Sequence, residues 1–261
     1  MSLYIDQTGR PLSISSTPQR IISLVPSQTE LLYHLGLDES VVGITKFCIH
    51  PEHWFRSKQR IGGTKNVNHE IITRLNPDLI IGNKEENTKD DIEKLAQQFP
   101  VWLSNISKLN EAMDMIRQLS SITSTTTKGE RMISAIQASF SNLIPISKPL
   151  KVCYLIWQNP YITAGGDTFI NDMLKHCGFI NVFAETPRYP QITLADMAAK
   201  EIDIILLSSE PFPFKEKHLT ELQSQLTGPQ IMLADGELFS WYGSRLLKSP
   251  GYFQTLINKL Q

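Results

Sequence analysis

The sequence predicts an α/β fold: two Rossmann-like lobes with parallel sheets, joined by one long backbone α-helix, with a ligand cleft between the lobes. Three patterns carry this reading. Strand signals alternate with helical stripes in both halves. A helix-to-strand unit occurs twice, as "VNHEIITRLNPDLII" (residues 67–81) and "ITLADMAAKEIDIIL" (residues 192–206). Setting 67 on 192, an offset of 125, keeps the apolar pattern and lays Asp78 on Asp203. Between the copies runs an amphipathic stretch with no proline until Pro145.

The elements follow in order. "RIISLV" (residues 20–25) is a compact apolar strand. "PSQTELLYHLG" after it reads as a helix, with Ser27 and Glu30 as a capping box, Leu31, Leu32 and Leu35 as its stripe and Gly36 as its stop. Further strands are expected at residues 41–44, 79–82 and 101–103. The charged run at residues 83–95 reads as a solvated helix with a loop start. Residues 125–144 form the long helix, with Thr127 and Glu130 as a second capping box and Met132, Ile136, Phe140 and Leu143 on one face. About 20 helical residues span about 30 Å. The second half opens with "KVCYLIW" (residues 151–157), a Gly-rich turn and the helix "DTFINDMLKHCG" (residues 167–178). His176 and Gly178 then match His34 and Gly36 at an offset of 142. Strands at residues 202–207 and 230–233 complete the set. The predicted division is an N-terminal lobe at residues 1–124, the connecting helix at 125–145 and a C-terminal lobe at 146–261.

Bulk properties exclude several classes. With 261 residues, 41% of them hydrophobic, and a formal charge of -1, the chain offers no field for nucleic acid or anionic lipid. No apolar run approaches the roughly 18 residues of a membrane helix. "MSLYIDQTGRPLSISS" lacks the apolar centre of a secretory signal. The expected compartment is the cell envelope if a signal has been removed, and the cytoplasm otherwise. Cys48, Cys153 and Cys177 are odd in number and lack CxxC spacing, so neither a disulfide framework nor a zinc knuckle is expected. Cys153 and Cys177 read as core residues. The nucleotide and acyl-transfer signatures GxGxxG, GxxxxGK[ST] and GxSxG are absent. Gly165 and Gly166 fit either a phosphate turn or a plain turn.

Strand, capped helix, "GGTKNVNHEIITRLNPDLIIG", helical strut and "YPQITLADMAAKEIDII" together resemble the helical-backbone (class III) substrate-binding proteins of ABC importers. The resemblance runs from about Arg20 to the C-terminus and favours the branch that binds cobalamin and iron siderophores. It implies a monomer with no intrinsic cofactor and no catalysis. Such a protein captures a metal chelate, preferably a cobalamin-like corrinoid, otherwise haem or a ferric siderophore, and delivers it to an ABC permease dimer.

Such a ligand has apolar faces and a polar rim, so aromatic side chains at strand ends are its natural contacts. "TKFCIHPEHW" supplies Phe47, Cys48 and His50, with Phe47 where the cobalamin binders carry a cleft tyrosine. Thr64 stands where they have a tryptophan and Ile162 where they have an aromatic, two departures. "WQNPYITAGG" supplies Trp157 and Tyr161, and Tyr189 matches another of their cleft tryptophans. "DGELFSWYGSRL" adds Trp241, Tyr242 and Arg245, rings beside a cation suited to a carboxylate or phosphate. Cys48 and His50 are a soft and a borderline ligand, yet two ligands do not close a metal site, so no protein-held metal is expected. Glu85, Glu86 and Asn87 follow a strand end within reach of the cleft. Glu70 matches the acidic residue with which the family docks on its permease, and Asp196, beside the aligned Ala195, is its counterpart in the second lobe. Two other readings remain: a tetrapyrrole metal chelatase using His50, His53 and Glu85, and a cytosolic chelate carrier or sensor.

Overall fold

The computed structural model describes residues 2–261 and divides them into two units, each with its own sheet. One unit holds the residues up to Ile106, Asn110–Ala135 and Tyr242–Arg245; the other holds Ser107–Leu109, Ile136–Trp241 and Leu246–Gln261.

The first unit begins with an antiparallel hairpin, β1 (Ser2–Ile5) and β2 (Pro11–Ile14). The chain then alternates: β3 (Ile21–Ser23), α1 (Pro26–Leu35), β4 (Val41–Ile44), α2 (Glu52–Ser57) and β5 (Gln59–Arg60). After the short hairpin β6 (Gly62–Gly63) and β7 (Asn66–Val67) come α3 (His69–Leu75), β8 (Leu79–Asn83), α4 (Lys89–Ala96), β9 (Val101–Ser104) and α5 (Leu109–Ile122). The sheet order is β5-β4-β3-β8-β9 and every pairing is parallel. Every residue of β3, β8 and β9 is buried, as parallel strands covered on both faces require. Ile22, Ile80 and Leu103 pack with Ile72 of α3 and Ile92 of α4 in the core.

The boundary between units falls within α6 (Thr126–Ser141), after Ala135. The second unit continues with β10 (Lys151–Trp157), β11 (Tyr161–Thr163), α7 (Phe169–His176), β12 (Ile180–Asn181), β13 (Gln191–Ile192) and α8 (Leu194–Ala198). It ends with β14 (Ile204–Ser208), α9 (Glu216–Gln225), β15 (Gln230–Ala234), α10 (Gly236–Ser240) and α11 (Ser249–Asn258). The sheet order is β13-β11-β10-β14-β15, with β12 also on β10. β10, β12, β14 and β15 pair in parallel, whereas β11 is antiparallel to both its neighbours. Cys153 and Cys177 lie fully buried as expected, and burial pushes the Cys153 thiol up to about 12.

The repeat is physical. The Asp78 carboxylate accepts the N–H groups of Gln19 and Arg20 at 2.7 and 2.8 Å, and the Asp78 N–H donates to the Arg20 carbonyl at 3.0 Å. The Asp203 carboxylate accepts the Lys151 N–H at 2.7 Å, and its own N–H donates to the Lys151 carbonyl at 2.9 Å. Each aspartate therefore pins the start of its unit's leading strand. Gly36 and Gly178 end their helices at φ +81° and +79°. After each comes the same i to i−5 bond, Leu37 to Leu32 and Phe179 to Leu174, of the left-handed helix stop.

Neither predicted capping box in the first half forms. Helix α1 starts two residues early, at Pro26 with Val25 as its N-cap, and the fixed φ of proline suits the first helical position. Ser27 and Glu30 are then both buried inside the helix, and the Glu30 carboxylate bonds elsewhere. Helix α6 starts at Thr126, so Thr125 accepts the first N–H groups, and Glu130 pairs with Arg117 at 3.0 Å instead. It spans 16 residues and ends before Asn142. Where the sequence set residues 125–145 apart as a connector, the structure splits α6 between the units and returns Tyr242–Arg245 to the first.

Gly178 combines positive φ with Pro145 Cβ and Ile146 N at 3.1 and 3.2 Å from where a Cβ would lie. Gly178→Ala should cost about 1–2 kcal/mol in urea unfolding. Gly251→Ala, with nothing within 4 Å, should be neutral or slightly stabilising.

Candidate ligand site

In the first unit the chain winds from β3 outward to β4 and β5, then returns to β8 and β9 on the other side of β3. The carboxyl ends of β3 and β8 flank this reversal of strand order, the usual ligand position in open parallel sheets. Phe47, just past the carboxyl end of β4, is 51% exposed, with the Lys46 ammonium 5.1 Å from its ring centre. Its neighbour Cys48 points the other way. That thiol is fully buried, accepts from the Thr29 hydroxyl at 3.1 Å and lies 3.1 Å from the Thr45 hydroxyl. Burial raises its pKa. Cys48 is therefore a packing residue and not a ligand contact. His50 is half-buried, and His53 lies edge-on to Tyr33 at 5.2 Å. No group of three or more His, Cys, Asp or Glu able to hold a metal occurs among the described residues.

The polar floor of this edge comes from side chains far apart in sequence. Gln28 donates to the Gly82 carbonyl at 3.2 Å and to Ser104 Oγ at 2.6 Å, and Asn83 donates to the same hydroxyl at 2.9 Å. Asn83 Oδ1 accepts the N–H groups of Glu85 and Glu86 at 2.8 and 3.0 Å, fixing that turn. The Tyr242 hydroxyl donates to Glu86 Oε1 at 2.6 Å. Arg245 grips Glu30 through two parallel bonds, Nε to Oε2 at 2.9 Å and Nη2 to Oε1 at 3.0 Å. Both side chains are almost enclosed, at 11% and 8% exposure. The sequence assigned Tyr242 and Arg245 to the ligand. The structure gives each a carboxylate of the protein itself, and Tyr242 is buried.

In the second unit Trp157 ends β10, 38% exposed and edge-on to Phe212 at 5.6 Å. Tyr161 opens β11, half-buried, and burial raises its hydroxyl against the hydrogen bond from Gln158. Tyr189, 37% exposed, precedes β13, which pairs with β11. Gly165 and Gly166 fit the plain-turn reading. Their N–H groups donate to the Arg188 and Thr186 carbonyls, and a Cβ on either would strike the backbone of Thr186 or Ala184. Trp241 departs from expectation. It is 7% exposed, and its indole N–H donates to Glu210 Oε1 at 2.8 Å, beside the Ser240 hydroxyl at 2.7 Å. Phe239 is core, packed on Tyr154 and Phe253. Glu210 was not legible as a partner; burial raises its carboxyl above the ordinary glutamate value.

Glu70 is exposed in the first turn of α3, whose N-terminus Asn68 caps by accepting the Ile71 N–H at 3.0 Å. Asp196 is exposed but engaged. Its carboxylate accepts the Thr193 hydroxyl and N–H, both at 2.8 Å, and these bonds lower its pKa.

Two wound α/β sheets with exposed rings at their carboxyl ends describe a binding protein, and the chain belongs to the periplasmic binding protein family, matched over residues 21–238. Among its relatives is the vitamin B12-binding protein of Vibrio parahaemolyticus, 25% identical over 216 residues, or 79% of this chain and 77% of that one. The vitamin B12-binding protein of Pectobacterium carotovorum is 26% identical over 237 residues, 88% of this chain and 85% of that one. The fold is that of the periplasmic haem binding protein HutB of Vibrio cholerae, with a TM-score of 0.78 at 22% identity over 92% of this chain and 98% of that one.

Removing one side of the Glu30–Arg245 pair leaves a buried charge uncompensated. Arg245→Ala should cost about 3–5 kcal/mol in chemical denaturation, and Glu30→Leu with Arg245→Met should recover most of it. Glu210 carries the opposite sign. A carboxyl raised in the folded state favours folding at low pH and costs stability as pH rises through its folded value. Glu210→Gln should therefore gain on the parent in thermal melts near neutrality, and the gap should close as pH falls below 4.5, the ordinary glutamate value.

Proposed function

We propose that this chain is the substrate-binding component of an ABC importer, working in the periplasm, that captures one metal chelate and hands it to a membrane permease. A cobalamin-like corrinoid is the favoured ligand, with haem and ferric siderophores next. The observation that carries this reading is the display of Phe47 and Trp157, large rings left in solvent just past the carboxyl end of β4 and at that of β10, with Tyr189 also exposed in the loop before β13. Exposed rings cost hydration free energy unless something covers them, and a flat macrocycle covers them well. Family membership and relatives named as vitamin B12-binding proteins support the same ligand class. They also favour one-to-one binding over chelatase turnover. The ligand arrives as cargo rather than as a resident cofactor, and the working form is a monomer.

The binding role passes to Phe47, Trp157, Tyr161 and Tyr189, with His50 at the margin. Tyr242 and Arg245 support the first unit through Glu86 and Glu30, and Trp241 supports the second through Glu210. Glu70 serves permease docking, its exposed carboxylate placed in the first turn of α3. Asp196 adds the second docking contact only through the part of its carboxylate left outside its cap.

Absorbance-monitored titration with cyanocobalamin, haem and a ferric siderophore tests the proposal: one of them should saturate at one equivalent. Saturation by none overturns it, and catalytic metal insertion would favour the chelatase. Trp157→Ala should weaken the bound chelate by about 1–3 kcal/mol, the worth of one covered ring. Glu70→Ala should leave affinity unchanged and reduce uptake in cells; a loss of affinity would remove Glu70 from the docking role.

A further inference from the structure

At the amino edge of the first unit's sheet, opposite the end that carries Phe47, lies a pocket of about 640 Å³. It opens where β4 and β5 begin and beside the residue that precedes β3. Four cationic side chains line it, Arg20, Arg56, Lys58 and Arg60, against one carboxylate, Glu39. Such a lining suits neither an apolar guest nor a cation.

How these cations are held matters more than their number. Arg20 donates through Nε and Nη2 to the Leu75 carbonyl at 2.8 and 2.6 Å. Arg60 lies over the Phe55 ring, 4.3 Å from its centre, and donates to the carbonyls of Lys58 and Phe55. Backbone carbonyls fix both guanidinium forks but are neutral, so the charges stay uncancelled. Each guanidinium has five N–H donors, and only two on each are spent this way. Lys58 shares Asp38 at 3.4 Å and the Trp54 ring at 5.2 Å. Arg56 pairs with Glu52, but both side chains are 74% exposed, so water and salt screen that pair. The result is a pair of pre-oriented forks with spare donors, ringed by two further positive charges.

We propose that this pocket is an oxyanion site for a diphosphate, or for a phosphate group carried on a larger polar molecule. Planar forks with parallel donors match phosphate oxygens in a way that a point charge does not. The volume exceeds that of a single phosphate, which points to a diphosphate or a bulkier headgroup. Occupancy here is independent of the chelate site, because the two lie at opposite edges of one sheet.

The test is a nitrogen-proton correlation NMR titration of the full chain with inorganic pyrophosphate, at fixed ionic strength against sodium chloride. Sedimentation with phosphatidylglycerol-containing vesicles, against pure phosphatidylcholine, forms the second arm. Saturable shifts at the Arg20 and Arg60 side chains should appear with pyrophosphate. The Arg20→Lys, Arg60→Lys double variant keeps the charge but loses the forks, and should bind about tenfold more weakly. Vesicle binding that pyrophosphate competes away and the double variant loses would place the phosphate on a lipid headgroup; shifts without vesicle binding would make it soluble. Should the double variant unfold, Arg56→Gln decides, with an expected loss of about threefold, the scale of one exposed charge contact. If neither probe binds saturably, or the variants bind as the parent does, the proposal falls and the two arginines only cap helix ends.

Discussion

Each sheet depends on one carboxylate at its amino edge. β3 has no hairpin partner, and the hairpin of β10 with β11 pairs only the Leu155–Trp157 end, so something else must hold the first residues of each leading strand. Asp78 does this for β3 and Asp203 for β10, each binding backbone on the strand beside it. With the starts pinned, the opposite ends are free to carry rings and polar turns without register slipping beneath them. The division of labour is the same in both units: one edge secures geometry, and the other carries an exposed ring, Phe47 after β4 and Trp157 at the end of β10.

Charge is handled by a related logic. Arg245 and Tyr242 look like ligand groups because a guanidinium beside aromatic rings is a common recognition device. In this chain they are consumed by Glu30 and Glu86, so they build the wall of the first unit rather than its contact surface. Trp241 is treated likewise by Glu210. Three carboxylates, Glu30 buried and Glu86 and Glu210 half-buried, thus engage these conspicuous side chains. Phe47, Trp157 and Tyr189 stay partly in solvent.

Much of the fold was legible, for physical reasons. β4 and β10 were placed at their observed limits because uninterrupted apolar runs bounded by polar residues leave few alternatives. The aspartates and the two helix-ending glycines were visible as offsets because each does a backbone job that few residue types can do. The site was less legible. Glu30 and Arg245 stand 215 residues apart, and nothing local marks them as partners. A plausible local motif, the capping box, even claimed Glu30 for another task. Cys48 and Phe47 are adjacent in a loop, where no periodicity tells which side chain faces inward. The burial of Trp241 was hidden for the same reason, since irregular turns carry no period to read.

The return of Tyr242–Arg245 to the first unit bears on biogenesis. A ribosome delivers Glu30 early and Arg245 almost last, so during most of synthesis that carboxylate has no counter-ion to justify its enclosure. The first unit therefore gains this ion pair only when the chain is nearly whole. Closing the Glu30–Arg245 pair is then a late step that ties the end of the chain back to its beginning.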